Sequence, residues 1–342
     1  MRAPLPALLP FLVLPLSCGE IGAQPPETDR VMISSDGSTI VRLYNVLHVT
    51  SYSRRGGSVT RSGYAEHFIE VYEGASGQLR TTTPYEIDGN CDLVAVTPDR
   101  AWIRIMNEET REFELRSISL ADRSVALDAE ALARRNNGLV FQPNSHYHNS
   151  DGYEGLVVQA DDARIYAIDA TTGLATPIPD TVSMVHAGHG QWDRINYFGI
   201  HGYEFGFEGE HRKRLVCEKE RVNGIAEKVT STIDFIEPGM IGKFQGATKD
   251  MEPITYQNGP FILSKTKAGN RFAWRIDLMD GRTLDSKWSE ELDLTRPDGR
   301  ENEIMDLALN GDRLTVLAKN FIGALDARTG AWVWQHNFVS TE

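Results

Sequence analysis

The feature that most constrains the fold is the pattern Ala-x-Asp-x-x-Thr-Gly-x-x-x-Trp near the end of the chain, at positions 324–334. Asp326 is placed to accept backbone N–H groups across a tight turn, with Thr329 beside it, and Gly330 can take a positive φ. Trp334 supplies a large apolar face on the outgoing strand. The pattern therefore predicts a β-hairpin, and its recurrence would make the chain a repeat protein.

Weaker copies of the pattern recur upstream. The copy ending at residue 173 keeps Asp169 and Gly173, with Pro177 in the place of the tryptophan, and copies at 68–77 and 274–281 keep parts of it. Degenerate turns near 123 and at 223–224 complete the set, so the turn positions are 77, 123, 173, 224, 281 and 330, separated by 46 to 57 residues. This spacing is the length of a four-stranded blade, and it predicts an all-β chain folded as a single β-propeller of about six, or seven, blades.

The segments between the turns contain short apolar or β-branched runs, which are typical of strands, at 93–96, 102–105, 156–159 and 314–317. The stretch 128–135 differs, because its spacing predicts a short helix that ends at the following Asn-Asn-Gly. We expect this helix to be an insertion between blades. The run 31–49 supplies either the first strands of the first blade or an outer strand of the last one.

These motifs resemble the repeat of the pyrroloquinoline-quinone-like β-propeller superfamily, which includes quinoprotein dehydrogenases and the outer-membrane barrel-assembly lipoprotein scaffold. The resemblance covers about residues 30–342, and the copies at 324–334 and 167–173 carry it. In that family the motif tryptophan packs between neighbouring blades. Here Trp334 alone occupies that place, and the equivalent positions hold Thr81, Leu127, Pro177, Lys228 and Asp285.

The resemblance also bears on the cofactor. The quinone-dependent members are longer, eight-bladed chains with an adjacent cysteine pair, and this chain has no Cys-Cys. The resemblance therefore implies the non-enzymatic lipoprotein branch of bacterial envelope proteins, without a quinone cofactor.

The N-terminus has the features of a secretory signal: Arg2, an apolar stretch at 5–16 and small residues beyond it. Its length and its prolines argue against a membrane-spanning helix. Two cleavage sites compete, a lipobox that would leave Cys18 lipidated and an ordinary site after Ala23. We expect residues 1–23 to be the signal peptide and 24–342 the propeller, exported to the periplasm and anchored to the membrane through Cys18.

Two further cysteines, Cys91 and Cys217, form a disulfide or remain buried thiols. Their positions in different predicted blades, the second and the fourth, argue against pairing, because a disulfide needs Cα atoms within about 7 Å. The net charge of −13 argues against nucleic acid as a partner.

Histidine is the residue type whose distribution suggests chemistry, since six of the nine histidines lie between 146 and 211. His146 and His148 would share one side of a strand, and His186, His189 and His201 could approach from neighbouring loops. Neutral imidazoles bind zinc, copper or iron. The alternative is a polar loop with exposed, hydrogen-bonding histidines.

The chain contains none of the catalytic motifs G-x-S-x-G, G-x-x-x-x-G-K-[ST], G-x-G-x-x-G after a strand, or H-E-x-x-H. We therefore expect a non-catalytic propeller that binds an envelope protein or a small ligand in the cell envelope. The alternative is an exported metal-dependent hydrolase or lyase with the histidines at the propeller axis.

Overall fold

The computed structural model describes residues 22–55, 58–107, 109–147, 156–179, 192–200, 203–219, 227–244, 251–268, 271–292, 294 and 304–338. Within these ranges the chain consists of antiparallel strands and a single short helix. No helix in this part of the chain is long and apolar enough to cross a bilayer.

The first half of the chain forms three consecutive four-stranded sheets in which each strand pairs with the next one along the chain. The first sheet contains β1 (Glu27–Ile33), β2 (Thr39–Arg55), β3 (Ser58–Glu73) and β4 (Tyr85–Ile87). The second contains β5 (Cys91–Val96), β6 (Arg100–Met106), β7 (Phe113–Ser119) and β8 (Val125–Leu127). After helix α1 (Ala129–Arg135), the third contains β9 (Phe141–Tyr147), β10 (Leu156–Ala160), β11 (Ile165–Ile168) and β12 (Ala175–Pro177).

The second half begins with β13 (Trp192–Ile195) and continues into a fourth sheet of β14 (Tyr197–Ile200), β15 (Tyr203–Glu208), β16 (Arg214–Lys219) and β17 (Lys228–Thr230). The fifth sheet contains β18 (Ile236–Phe244), β19 (Met251–Pro253), β20 (Thr255–Tyr256), β21 (Gly259–Ala268), β22 (Arg271–Met279) and β23 (Ser286–Leu292). The sixth contains β24 (Ile304–Asn310), β25 (Arg313–Ala318), β26 (Phe321–Asp326) and β27 (Trp332–Asn337). Such four-stranded antiparallel units are those of a β-propeller.

The fifth sheet departs from the predicted four strands, because the described residues give it seven. Strand β13 precedes the fourth sheet in the chain but pairs with β18 of the fifth, from Trp192 opposite Lys243 to Ile195 opposite Met240. The short strands β19 and β20 form local pairs with β18 and β21. The predicted four strands correspond to β18, β21, β22 and β23, and β13, β19 and β20 are the three additional ones.

Burial along the strands shows where the sheets pack. Strand β25 is buried at five consecutive residues, Leu314 to Ala318, because both of its faces are covered. The last strand, β27, is instead mostly exposed, with partly buried Trp332 and Trp334 alternating with exposed residues. Continuous apolar runs therefore mark strands inside a sheet that is covered on both faces, and alternation marks a strand with one face in water.

Apolar side chains join neighbouring sheets. Buried clusters cross from the first sheet to the second, from the second to the third, from the fourth to the fifth, and from the fifth to the sixth. A further cluster joins Val31, Ile40 and Tyr72 of the first sheet to Leu317 and Ile322 of the sixth. The first and last sheets thus contact each other through side chains, and each is built from its own strands.

The structure confirms several predictions about local structure. All four predicted strand segments lie within strands β5, β6, β10 and β25. The predicted helix is α1, which starts where the Asp128 carboxylate accepts the Ala131 N–H at 2.7 Å, and positive φ values at Asn137 and Gly138 follow it. Residues 31–49 fall in the first sheet, so their alternative assignment to the last blade is wrong.

Strands β2 and β3 extend beyond their sheet. Strand β1 pairs with β2 as far as Asn45, and β4 pairs with β3 at residues 67–69. Residues 46–55 and 58–66 continue as a two-stranded ribbon, referred to below as the ribbon. A short N-terminal segment lies along it, since Val49 N–H donates to the Gly22 carbonyl at 2.9 Å.

Candidate functional site

The repeat turn at Asp326 is closed by hydrogen bonds to its carboxylate. The backbone N–H groups of Arg328 and Thr329 each donate to Asp326 Oδ1 at 2.9 Å, and Gly330 has a φ of 74°. The hydrogen bond from Thr329 N–H is the main cause that lowers the pKa of Asp326. This carboxylate is used to hold a turn.

Asp169 forms the same turn in the third sheet. Its Oδ1 accepts from the Thr172 hydroxyl and the Thr172 N–H, both at 2.6 Å, and Gly173 has a φ of 74°. The hydroxyl of Thr172 is the main cause that lowers the pKa of Asp169. The two strongest copies of the sequence pattern therefore have the same structure.

Trp334 connects the last sheet to the first. Its Nε1–H donates to the Gly74 carbonyl at 3.2 Å, and its indole lies against Gly77, the turn glycine of the first sheet. Gly77 has a φ of 68°, and a Cβ there would overlap the indole ring. The indole of the sixth sheet thus packs against the turn of the first sheet.

The fifth sheet corrects the sequence alignment of the repeat. The prediction placed the turn at Gly281 and Asp285 at the tryptophan position, and both assignments are wrong. Leu284 has the positive φ, 59°. It comes four residues after Asp280, whose carboxylate closes the turn, just as Gly330 comes four residues after Asp326. Trp288, eight residues after Asp280, takes the place that Trp334 holds.

Trp288 connects the fifth sheet to the sixth. Its Nε1–H donates to the Ala327 carbonyl at 2.8 Å, and a Cβ at Gly330 would lie 2.6 Å from its indole Cδ2. Trp334 is therefore not the sole interblade tryptophan. The spacing Asp-x-x-Thr-x-x-x-x-Trp was the signal for it, and the leucine at the glycine position concealed it.

Leucine and a helix replace the tryptophan between the second and third sheets. Leu127 lies against Gly173, where an added Cβ would be 2.7 Å from its Cδ1. Asn136, at the end of α1, donates through Nδ2 to the Gly173 carbonyl at 2.9 Å and accepts the Ala175 N–H at 2.7 Å. Helix α1 thus holds two sheets together.

A buried arginine completes the contact between the first and last sheets. Arg42 donates through Nε to Thr28 Oγ1 at 2.9 Å and through Nη1 to Glu70 at 2.8 Å. Its guanidinium lies between two rings, 4.4 Å from the centroid of Tyr44 and 3.9 Å from that of Phe338. Phe338 follows the last strand, so cation–π contact ties the two sheets together.

The predicted metal site stays a prediction. His146 lies on β9 with its backbone opposite Val158, and His148, His186, His189 and His201 lie outside the described residues. In the described ranges, no group of three or more His, Cys, Asp or Glu residues could hold a metal ion. Metal analysis of the purified protein, and its melting temperature with and without zinc, test the prediction.

The cysteines fall into two groups. Cys18 lies outside the described residues, so its lipidation also stays a prediction. Cys91 and Cys217 are buried free thiols in the second and fourth sheets. Burial raises the pKa of the Cys91 thiol to about 12, because an apolar environment disfavours the thiolate.

A cleft of about 380 Å³ lies between the fourth and fifth sheets. Its aromatic wall is formed by Phe198 and Phe205, which stack with centroids 4.7 Å apart, and by Tyr203, which is 38% exposed. No sequence motif indicates this cleft, since its walls come from two sheets and from turns that are distant in the chain.

The polar wall of the cleft comes from two turns of the fifth sheet. Gln257 and Asn258, with φ values of 50° and 64°, form the hairpin between β20 and β21, and Arg282 belongs to the following repeat turn. Asp280 also lines the cleft, but it accepts the backbone N–H groups of Thr283 and Arg282, which lower its pKa. The cleft thus combines aromatic rings with two amides and a guanidinium.

No family model matches the chain, and no curated protein matches it. Several solved structures show a distant likeness. The β-propeller domain of the Trilobed protease from Pyrococcus furiosus is 10% identical with a TM-score of 0.37, covering 93% of this chain and 99% of that one. BamB from Moraxella catarrhalis is 10% identical with a TM-score of 0.24, covering 93% and 90%.

The WD40 domain of SCAP from fission yeast is 8% identical with a TM-score of 0.25, covering 91% of this chain and 99% of that one. Similarity at this level does not indicate a shared function.

Proposed function

We propose that the chain is a six-bladed, non-catalytic β-propeller that acts as a binding or scaffold module in the bacterial cell envelope. The observation that carries this proposal is the cleft between the fourth and fifth sheets, which is lined by an exposed tyrosine, amides and an arginine. Concave sites with apolar walls and a few polar groups are typical binding sites.

The chemistry of the cleft favours binding over catalysis. Asp280 is the one carboxylate among the described residues that line it, and its Oδ1 accepts two backbone N–H groups, at 2.9 and 3.0 Å. Its lowered pKa keeps it ionised at neutral pH, so it is a poor general acid. Its role, like that of Asp169 and Asp326, is to close a turn.

The lining residues indicate the kind of ligand. Aromatic rings accept an apolar side chain, and Gln257 and Asn258 can pair with peptide N–H and C=O groups. Arg282 can bind a carboxylate through two parallel hydrogen bonds. We therefore propose that the cleft holds a peptide segment of an envelope protein, with an apolar residue next to an acidic one.

The N-terminal segment supports a lipid anchor at Cys18 over cleavage after Ala23. Gly22 and Gln24 form backbone hydrogen bonds with Val49 and Leu47, and Ala23 bridges to His48. Cleavage before Cys18 keeps these contacts in the mature protein, whereas cleavage after Ala23 removes part of them. In the proposed function the propeller is a periplasmic lipoprotein.

Photo-crosslinking in the native envelope tests the binding site. A photoreactive amino acid at Tyr203 should give a discrete adduct, and the same probe at Tyr197, which is 60% exposed on the same sheet but does not line the cleft, should not. Arg282→Ala should weaken the adduct at least about tenfold, because it removes a charge-assisted hydrogen bond.

Arg328→Ala is the matched control, since Arg328 has the same position relative to Asp326 as Arg282 has relative to Asp280. The proposal is wrong if the probes at 203 and 197 give the same adducts, or if Arg328→Ala weakens crosslinking as much as Arg282→Ala. Lipid labelling of the wild type and of Cys18→Ala tests the anchor without depending on membrane contact, and it would be contradicted by a wild type that carries no lipid or by a Cys18→Ala variant that is still labelled.

A further inference from the structure

The ribbon differs in charge from the rest of the chain. The ribbon contains Arg54, Arg55 and Arg61 and a single acidic residue, Glu66, whose carboxylate lies 2.8 Å from His48 Nε2, although the chain as a whole has a net charge of −13. We propose that the ribbon is a docking surface for anionic phospholipid headgroups. This inference rests on the proposed envelope location.

The position of the ribbon suits contact with a flat surface. It extends past the pairing with β1 and β4, and its backbone register continues from Val46 opposite Glu66 to Arg55 opposite Ser58. Arg61 lies opposite Tyr52 in this register, and Arg54 opposite Val59. The basic residues therefore concentrate at the end of the ribbon farthest from the sheet.

An aromatic pair lies nearer the sheet. Tyr64 is 55% exposed and stacks on His48, with ring centroids 4.8 Å apart and an angle of 9° between the rings. Tyrosine is enriched at membrane–water interfaces, where its apolar ring and polar hydroxyl are both accommodated. The ribbon thus combines cationic and interfacial residue types.

The N-terminal segment runs along the ribbon toward the end that carries the arginines. It pairs antiparallel to β2, with Gln24 beside Leu47 and Gly22 beside Val49. Followed toward the N-terminus, the chain at Gly22 therefore heads toward the arginines. Cys18 is four residues further, at most about 14 Å along an extended chain, so a lipid on it would hold the ribbon close to a bilayer.

Charge favours a membrane contact restricted to the ribbon. Each arginine near an anionic bilayer strengthens binding roughly fivefold, and three together about a hundredfold. The remainder of the chain is acidic and is repelled by the same surface. An anionic bilayer would therefore orient the propeller with the ribbon toward it.

The test uses the mature chain from residue 18 with Cys18→Ser, so that no lipid is attached, in co-sedimentation with vesicles. We expect binding to vesicles with 30% phosphatidylglycerol to exceed binding to pure phosphatidylcholine vesicles, and to weaken as salt is added. Replacing Arg54, Arg55 and Arg61 with glutamine should weaken binding about a hundredfold. The control replaces Arg212, Lys213 and Arg214 with glutamine, which changes the net charge equally.

Equal binding to both kinds of vesicle would overturn the proposal, as would a control variant that loses as much affinity as the ribbon variant. The comparison of vesicles needs no substitution in the ribbon, so it stands even if the triple variant unfolds. Because the assay requires neither lipidation nor the cleft, its outcome is separate from that of the crosslinking at Tyr203.

Discussion

The contact between Gly330 and Trp288 predicts a large effect from adding a single methyl group. Gly330 has a φ of 74°, and a Cβ there would lie 2.6 Å from Cδ2 and 2.7 Å from Cε3 of Trp288. The indole cannot easily move away, because it is buried and its Nε1–H is bonded to the Ala327 carbonyl. Gly330→Ala should therefore be strongly destabilising.

The magnitude follows from two contributions. Alanine in the left-handed region costs roughly 1–2 kcal/mol, and overpacking a buried contact adds about 1–3 kcal/mol. The expected loss in the free energy of unfolding is thus about 2–5 kcal/mol. Gly311 provides the control, since its φ is 58° and nothing lies within 4 Å of an added Cβ. Gly311→Ala should cost about 1–2 kcal/mol.

Urea unfolding followed by circular dichroism measures both variants, with Trp288→Ala as a second background. In that background the clash is absent, so Gly330→Ala should lower the free energy of unfolding no more than Gly311→Ala does. The coupling energy between the substitutions at Gly330 and Trp288 should then be about 1–3 kcal/mol. Any effect of alanine on the unfolded chain is common to both glycines and cancels. Equal costs for the two glycines, or an unchanged cost without Trp288, would refute the reasoning.

Three further predictions concern single residues. Arg42→Met should lower the free energy of unfolding by about 3 kcal/mol in urea titrations, because it leaves Glu70 without its ion partner, and adding Glu70→Gln should recover part of this loss; no recovery would contradict it. The pKa of Asp326 is lower folded than unfolded, so its stabilisation is present above about pH 4 and is lost as pH falls further. The stability difference between wild type and Asp326→Asn should therefore shrink during acid titration. Cys91 and Cys217 should resist alkylation at pH 8 until urea unfolds the protein, as mass spectrometry would show; rapid labelling of folded protein would argue against their burial.

Local structure could be predicted from the sequence most accurately at turns, where only a few residue types fit the backbone. Asp326 and Gly330 identified a turn because few residues accept adjacent N–H groups or adopt a positive φ without strain. Leu284 shows the limit of this reasoning. A leucine with φ at 59° is unfavourable by itself, and its complete burial in the core is what stabilises it. Local preference could not reveal that compensation.

Long-range pairing explains the other differences. Strand β13 is adjacent in sequence to the fourth sheet, yet it pairs with β18 of the fifth, and its short sequence does not specify that partner. The cleft has the same origin, since Tyr203 and Asn258 meet because two sheets are neighbours. The histidine hypothesis remains a prediction, because most of its residues lie outside the described ranges.

The first and last sheets share no described strand, and this affects the order in which the chain folds. No strand of the sixth sheet contributes to the first within the described chain, so the backbone pairing of the first sheet does not depend on the sixth. Trp334 and Phe338, which contact Gly74 and Arg42, follow the strands of the first five sheets along the chain and are synthesised after them. Their docking therefore follows synthesis of the first sheet, and a chain truncated before Trp334 would leave Gly77 and Arg42 without the rings that cover them.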